Sequence, residues 1–554
     1  MTSALKFWSV SFLLCLPLGL EAQTAADGWS VVAEIASGDS LWGGWDIITD
    51  LDLDNDGHKE FIYSRDPVAS SALVNKSAGQ SVFYYESTGD NAFELRWSFK
   101  APIANNAGNI YTASAVGDLD GDGLPELYFC TPLDASDSPP NPKGLYVFEF
   151  DGTNFPTEPS ETWGFNRQDN EPFTCSGLAF GDVDGDGENE LIIQSRLDNG
   201  LPGSGAGRTM MVVNGGSVDI GLGLSPFQIE FEESATFVGG VVYDPRIVDF
   251  DGDGKNEIWV FTWDFLSLAI YEATAPNTYE LQVEMDKVFE PEDFGHRRGM
   301  RFYDADGDGQ LEFYTAGIQP DNGSNSFVFY IGSTSDVSTL TPADVTMLGG
   351  RNLPSDGSAV GDLDGDNLMD FLFTARNGAD EGTVIYRMEY KGTGSLADST
   401  SYDWSLFYNS DNAFSDLRNL AIADIDGDGK TEVYITRANT ITPEAPVVIV
   451  LESDNPVSVE KRPGVIVRDF RLRQNYPNPF NPTTTINFDL EVGGDVRLFI
   501  YNVIGEKVAT LVNEPMSSGS YTVNFDASAF ASGVYYYTLE AGVFRNTRKM
   551  LLLR

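Results

Sequence analysis

One nine-residue acidic pattern recurs seven times along this chain and constrains its fold more than any other feature. Each copy has aspartates at positions 1, 3 and 5, a turn residue at position 6 and a carboxylate at position 9. Such a concentration of carboxylates is unfavourable unless a cation lies between them. The copies are Asp52, Asp54, Asp56 and Glu60; Asp118, Asp120, Asp122 and Glu126; Asp182, Asp184, Asp186 and Glu190; Asp249, Asp251, Asp253 and Glu257; Asp304, Asp306, Asp308 and Glu312; Asp362, Asp364, Asp366 and Asp370; and Asp424, Asp426, Asp428 and Glu432.

The ligand types in this pattern indicate calcium. Carboxylate oxygens suit hard cations, and alternate residues can turn inward around one ion, as in the first half of an EF-hand loop. Position 6 is glycine in six copies and Asn367 in the other, which fits a turn with positive φ. Position 7 varies, as expected where only the backbone carbonyl is used. We therefore predict up to seven Ca²⁺ sites, the alternative for each copy being an acidic surface turn.

The closing carboxylate stands at position 9, whereas an EF-hand closes at position 12, and no helix follows. Strand-like runs follow instead, such as Glu126-Leu-Tyr-Phe and Glu257-Ile-Trp-Val. First aspartates are spaced 55 to 67 residues apart, with about four strand-like runs in each interval. This period predicts an all-β, seven-bladed β-propeller. The last blade lacks a strand, so we expect Trp29–Ala36 to complete it and close the ring.

The repeated copies, such as Gly181-Asp-Val-Asp-Gly-Asp-Gly-Glu-Asn-Glu-Leu, resemble the FG-GAP (integrin-α-like) repeats of calcium-binding propellers. The resemblance covers roughly residues 29 to 454. It implies that calcium lies in the turn between the first two strands of each blade, away from the usual ligand face. It also implies a binding platform, without identifying a ligand.

The two ends of the chain indicate export. Residues 1–22 have a basic start, a short apolar run and a small residue before a cleavage site, which predicts a signal peptide. We expect the propeller to occupy 23–454 and a linker 455–468. Residues 469–554 resemble the C-terminal sorting domain of type IX secretion substrates, a small immunoglobulin-like β-sandwich. The resemblance rests on Asn-Tyr-Pro-Asn-Pro-Phe-Asn-Pro from Asn475, on Tyr-Asn-x-x-Gly-Glu-x-Val from Tyr501, on Ser-Gly-Val-Tyr-Tyr from Ser532 and on the terminal Lys549-Met550.

This second resemblance implies contact with outer-membrane secretion machinery and a location outside a Gram-negative-type cell, either secreted or at the cell surface. No apolar segment of the mature sequence is long enough to predict a transmembrane span. The net charge of −50 argues against a nucleic-acid partner, because phosphate binding needs clustered cations.

Two cysteines remain after the signal peptide, Cys130 and Cys175. The blade register places both at the face opposite the acidic loops, where an oxidising environment permits a disulfide. Two separate buried thiols are the alternative.

The chain has two histidines, and neither identifies an enzyme. His58 occupies the variable position 7 of the first loop. His296, Arg297 and Arg298 lie between blades four and five and would reach the ligand face, where they could serve a polysaccharide lyase or form an exposed basic turn. The sequence favours a calcium-stabilised adhesion module that binds extracellular glycans or proteins. A polysaccharide lyase or hydrolase and a purely structural surface component remain alternatives.

Overall fold

The computed structural model describes most of the strands of this chain and the turns that contain the acidic loops. Within the described part there are three short 3₁₀ helices, Val337–Thr339, Pro342–Asp344 and Ser399–Ser401, and no α-helix. The all-β prediction is therefore confirmed. The described residues are 24–26, 28–36, 44–54, 56, 58–65, 80–101, 112–131, 144–163, 174–196, 208–215, 227–235, 242–262, 267–285, 288, 299–319, 325–351, 357–364, 366, 368–376, 383–410, 416–438, 446–453, 460–462, 471–475, 477–478, 480–490, 494–503, 507–516, 519–527, 530, 532–541 and 544–553.

Before residue 454 the described strands form seven antiparallel sheets, which we call blades 1 to 7. Two N-terminal strands are added to the edges of blades 6 and 7: β1 (Thr24–Ala25) pairs with the last strand of blade 6, and β2 (Trp29–Ala36) pairs with the last strand of blade 7. Blade 1 contains β3 (Gly44–Leu51), β4 (Glu60–Arg65), β5 (Ser81–Gly89) and β6 (Ala92–Lys100). Blade 2 contains β7 (Ala113–Gly117), β8 (Glu126–Cys130), β9 (Leu145–Glu149) and β10 (Glu161–Trp163). Blade 3 contains β11 (Thr174–Gly181), β12 (Glu190–Arg196), β13 (Arg208–Asn214) and β14 (Gln228–Ala235).

The other four blades repeat this order. Blade 4 contains β15 (Val242–Val248), β16 (Glu257–Thr262), β17 (Leu268–Ala275) and β18 (Thr278–Met285). Blade 5 contains β19 (Arg301–Tyr303), β20 (Glu312–Gln319), β21 (Asn325–Ile331) and β22 (Val345–Arg351). Blade 6 contains β23 (Ser358–Gly361), β24 (Asp370–Arg376), β25 (Thr383–Tyr390) and β26 (Tyr402–Asn409). Blade 7 contains β27 (Asp416–Ala423), β28 (Glu432–Ala438) and β29 (Pro446–Ser453).

The N-terminal strand completes the last blade, as the sequence predicts. Strand β2 pairs antiparallel with β29, from Trp29 opposite Ser453 to Ala36 opposite Pro446. Trp29 also packs edge-on against Phe407 of blade 6, with ring centroids 4.9 Å apart. Because this pairing covers the outer edge of β29, it removes an exposed strand edge that could pair with other chains.

The apolar core lies between the blades. Each neighbouring pair, including blades 7 and 1, shares its own cluster of buried side chains among the described residues. Between blades 1 and 2, for example, Trp97 meets Phe148 edge-on at 4.8 Å. Aromatic pairs of this kind bury large areas and fix the angle between the sheets that they join. The sheets therefore form a closed, propeller-like ring.

The tail forms a separate two-sheet sandwich. One sheet has the order β30 (Glu460–Arg462), β35 (Gly519–Asp526), β32 (Thr483–Leu490) and β31 (Arg471–Leu472). The other has the order β34 (Lys507–Met516), β33 (Gly494–Asn502), β36 (Gly533–Ala541) and β37 (Phe544–Leu552). One buried apolar cluster joins them. Strand β30 lies inside the linker expected at 455–468, so pairing with this sandwich begins before residue 469.

A disulfide links blades 2 and 3. Cys130 ends β8 and Cys175 lies in β11, and both are fully buried with their Cα atoms 6.0 Å apart. Since the bridge closes a loop across two blades with a sequence separation of 45, it restricts the unfolded chain.

We expect the double change Cys130→Ala and Cys175→Ala to lower the free energy of unfolding by about 2–4 kcal/mol, through the lost loop closure. Urea denaturation with and without a thiol reductant measures the effect. Reductant should destabilise the unmodified protein and leave the double variant unchanged. Equal stability of the two proteins without reductant would contradict a stabilising bridge.

Candidate metal centres

Each acidic loop connects the first strand of a blade to the second, and its closing carboxylate is the first residue of that second strand. The closing side chains are at most 2% exposed in all seven blades. They are Glu60, Glu126, Glu190, Glu257, Glu312, Asp370 and Glu432. Burial of an ionised carboxylate is costly unless it is paired with hydrogen-bond donors or a cation.

One oxygen of every closing carboxylate has the same partner. It accepts the backbone N–H of the residue at position 2, at 2.7–3.0 Å in all seven loops, as in the bond from Val183 to Glu190. The other oxygen is buried and has no hydrogen-bond partner in five loops, those closed by Glu60, Glu126, Glu190, Glu257 and Glu432. A buried acceptor without a donor is unusual in a folded protein, and this oxygen is available to a ligand outside the chain.

The aspartates at positions 3 and 5 shape the turn. Oδ1 at position 5 accepts the N–H of position 7 in all seven loops, at 2.7–2.9 Å. Oδ1 at position 3 accepts the N–H of position 5 in six of them, at 3.1–3.2 Å. These local bonds fix the backbone and leave second oxygens that can turn toward a shared centre.

Left-handed backbone favours glycine at two positions of the loop, one more than the turn at position 6 identified from the sequence. The described glycines at position 6 have φ values from 86° to 95°, and those at position 4 have values from 73° to 76°. Both ranges are left-handed, which side chains with a Cβ rarely adopt. Glycine also recurs at position 4 in six copies of the sequence, so the signal was present.

Carboxylate oxygens converge in these loops. Within the described residues, one oxygen from each of Asp118, Asp120, Asp122 and Glu126 lies within 4.8 Å of the others, and equivalent groups occur in the loops of blades 1, 4 and 7. An all-oxygen set of this size suits a hard divalent cation. These residues therefore fit a metal ion.

The electrostatics of the closing carboxylates agree with this fit. In the metal-free chain, burial is the main cause that raises the pKa of Glu60, Glu126, Glu190, Glu257 and Glu312 from 4.5 to about 8, and neighbouring aspartates add to the rise. The same causes raise the pKa of Glu432 to about 10. A bound cation would reverse this tendency, because it favours the ionised form.

A second row of carboxylates, formed by glutamates of the third strands, lies beside the loops, and no local sequence pattern predicts it. Glutamates of the third strand stand directly opposite the closing carboxylate in five blades. Four of them pair with cations: Glu86 with Arg96 at 3.0 Å, Glu452 with Lys430 at 2.6 Å, Glu389 with Arg387 at 3.2 Å, and Glu272 with Lys255. The two lysines occupy position 7, where they pair with one second-row glutamate each and also with the position 5 aspartates Asp253 and Asp428.

The loops also contact the next blade. Oδ2 at position 3 accepts a backbone N–H from a turn of the following blade at three interfaces. Asn277 donates to Asp184 at 2.6 Å, Val337 to Asp251 at 2.9 Å and Asn91 to Asp426 at 2.7 Å. The conformation of an acidic loop therefore depends on the turn of the following blade that contacts it.

The sixth loop differs from the others. The Arg387 guanidinium on β25 contacts Asp364 at 2.7 Å and also the closing Asp370. The oxygen that lacks a partner in five other loops thus has one here.

The other candidate residues are divided between the described and undescribed parts of the chain. The side chain of His58 is exposed, and its backbone N–H donates to Oδ1 of Asp56. His296, Arg297 and Arg298 lie outside the described residues, as do the signal peptide at 1–22 and most connections on the face opposite the loops. None of the helices in the part of the chain that the structure describes has the length and apolar character needed to cross a bilayer.

Comparison with protein families agrees with the sequence patterns. The FG-GAP-like repeat matches residues 52–129 and 362–435, which contain the loops of blades 1, 2, 6 and 7. The secretion system C-terminal sorting domain matches residues 474–552. The chain thus carries FG-GAP-like repeats and a type IX sorting domain, and the protein is exported, either secreted or at the cell surface.

Similarity to individual proteins is weak. No curated protein matches the chain. A fungal alcohol oxidase of the AA5 family, in complex with copper, is 10% identical over 93% of this chain and 100% of its own, with a TM-score of 0.38. A fructofuranosidase from Schwanniomyces occidentalis, complexed with fructose, is 11% identical over 77% of each chain, with a TM-score of 0.27. Scores this low carry no argument about the chemistry of the chain.

The raised pKa values determine how the metal-free protein responds to pH. Because the folded-state pKa of Glu190 and its equivalents lies above the unfolded value of 4.5, their contribution to stability is complete below that value. It is lost as pH rises through about 8. We expect metal-free protein to melt at a lower temperature at pH about 8.5 than at pH about 5.5, as measured by calorimetry after removal of divalent ions. A melting temperature that rises over this range would contradict the assignment.

Proposed function

We propose that this exported protein is a calcium-stabilised β-propeller that serves as an adhesion module, binding extracellular glycans or proteins on the face opposite its acidic loops. The observation that carries the calcium assignment is the buried carboxylate oxygen without a partner, which recurs in five loops. A single orphaned acceptor could be accidental. Repetition at one structural position, beside three aspartates each time, supports a common ligand.

The ligands in each loop would be the carboxylates at positions 1, 3, 5 and 9. A bound calcium ion would supply positive charge to these oxygens and hold the closing carboxylate ionised. Extracellular calcium modules bind weakly, so each site contributes about 1 kcal/mol at ambient calcium. Several occupied sites in one cooperative ring would then contribute a substantial part of its free energy of unfolding.

Strand direction supports a separate ligand face. Every second strand begins with a carboxylate at the acidic loop and runs to the opposite face. Three of these strands end in arginine, at Arg65, Arg196 and Arg376. Arg65 is only 2% exposed, so the proposed ligand face rests on strand direction and not on charge at these strand ends.

The ligand site itself is proposed at the connections between second and third strands, centred on 131–144 and 195–208, together with 295–299. Variation there leaves the metal loops intact, and loops on a rigid scaffold commonly carry recognition. A polysaccharide lyase or hydrolase remains the alternative, resting on His296 beside Arg297 and Arg298. Product formation from a bound polysaccharide would favour that alternative over simple binding.

The calcium assignment can be tested with Glu190→Gln, which removes one buried charge and keeps the shape of the side chain. With calcium present, we expect the variant to melt below the unmodified protein, because one ion is bound less well. In excess chelator at alkaline pH the order should reverse, since the variant no longer buries a carboxylate.

The matched control is Glu280→Gln at an exposed position of β18, which should change neither melting curve. Differential scanning fluorimetry measures all three proteins. A variant that is equally destabilised with and without calcium would indicate a packing defect and contradict the calcium assignment.

The ligand face can be tested by replacing His296, Arg297 and Arg298 with alanine. We expect binding to an acidic polysaccharide to weaken about tenfold, through lost charge-assisted contacts. The calcium-dependent melting shift should stay unchanged. A glycan array screened with and without chelator identifies the probe, and surface plasmon resonance measures the affinity.

The control for this test is a pair of changes on the loop face, Lys255→Ala and Lys430→Ala, which remove similar charge. Binding that survives the first set of changes and is lost with the second would show that the ligand face has been assigned to the wrong side of the ring.

A further inference from the structure

The sixth acidic loop already contains a cation that belongs to the protein. Nη2 of Arg387 lies 2.7 Å from Oδ2 of Asp364 and 3.2 Å from Oε1 of Glu389. Its Nε donates to Oδ1 of Asp370. Asp370 is 1% exposed and the arginine side chain 15%, so this ion pair is shielded from water.

Arg387 contacts the closing carboxylate oxygen that has no hydrogen-bond partner in five other loops. Asp370 keeps the shared bond, since its Oδ2 accepts the N–H of Leu363 at 2.8 Å. Its Oδ1 corresponds to the oxygen without a partner in the loops closed by Glu60, Glu126, Glu190, Glu257 and Glu432. The guanidinium therefore satisfies the acceptor that is left open for an external ligand elsewhere.

The position of Arg387 is occupied by uncharged residues in every other blade. Arg387 pairs with Leu372, two residues after the closing carboxylate. The equivalent third-strand residues are Tyr84, Val147, Val212, Ile270, Tyr330 and Val450. Blade 6 is also the one with the shorter closing residue, aspartate in place of glutamate. The shorter closing side chain of Asp370 leaves room for the large planar guanidinium of Arg387 beside the carboxylates.

We propose that Arg387 takes the place of the metal ion in the sixth loop, so that blade 6 is held together by an internal cation and binds no calcium there. The proposal rests on the calcium assignment for the other loops. Arginine keeps its charge at any physiological pH and forms several directed bonds to carboxylates. Blade 6 therefore stays ordered when calcium is removed, and the ring binds at most six ions through its acidic loops.

The first test compares the same substitution in two loops. Asp120→Asn and Asp364→Asn each remove the carboxylate at position 3, from loops 2 and 6. Calcium stoichiometry is measured on the folded full chain by equilibrium dialysis with metal analysis. We expect the loop 2 variant to lose one ion and the loop 6 variant to lose none. Loss of one ion from both variants would overturn the proposal.

The second test removes the arginine. Arg387→Val introduces the residue found at this position in three other blades, and we expect the folded variant to bind one more calcium ion than the unmodified chain. Its melting temperature should become more dependent on calcium. The control Lys391→Val removes a charge of the same blade that pairs with Asp403 at 3.0 Å, outside the acidic loops, and should leave the stoichiometry unchanged.

The two tests separate this proposal from the calcium assignment on which it rests. An unmodified chain that binds no calcium fails the general assignment. An unmodified chain that binds calcium in loop 6, shown by a loss on Asp364→Asn, fails the Arg387 proposal alone. Should Arg387→Val not fold, the comparison of Asp120→Asn with Asp364→Asn still decides the matter.

Discussion

The hydrogen bond from the backbone at position 2 to the closing carboxylate is the interaction on which the rest of the ring depends. It occurs in all seven loops and ties the turn to the first residue of the second strand. To make it, the carboxylate must be buried, and a buried ionised carboxylate costs several kcal/mol when it has no cation. The geometry that orders the turn therefore creates the requirement for positive charge. Five blades leave the second oxygen of this carboxylate without a partner, and in blade 6 Arg387 pairs with it.

The loops also connect the blades to one another. A turn of the following blade donates to the position 3 carboxylate at three interfaces, and the side-chain amides of Asn189 and Asn256 donate to a carbonyl of the preceding loop at two. The apolar clusters between blades hold the sheets face to face, while these polar bonds hold one end of the ring in register. Neutralising one loop thus affects two blades. Under the calcium assignment proposed above, this coupling predicts a cooperative response to calcium that independent loops would lack.

The sequence could predict features that repeat at fixed spacing and could not predict those that depend on strand register. The acidic loops, the strands after them and the closure by Trp29–Ala36 follow from local patterns and from counting strands. Arg387 was missed because it meets Asp370 across two neighbouring strands, and no local pattern joins residues 17 positions apart. The third-strand glutamates were missed for the same reason. The disulfide between Cys130 and Cys175 depends on how two blades pack, so the sequence alone left two alternatives open.

The two faces of the ring have different physical tasks. At the loop face, backbone conformation is fixed by glycines with positive φ, by aspartates bonded to the turn and by buried closing carboxylates, so little sequence variation is compatible with folding. Each second strand runs from the loop face to the opposite end of its blade. Arg65, Arg196 and Arg376 are the last residues of three of these strands. Residues there are not required by the metal loops. Under the proposed function, a chain built in this way can change its ligand without changing its metal sites, because each second strand begins at an acidic loop and ends at the proposed recognition surface.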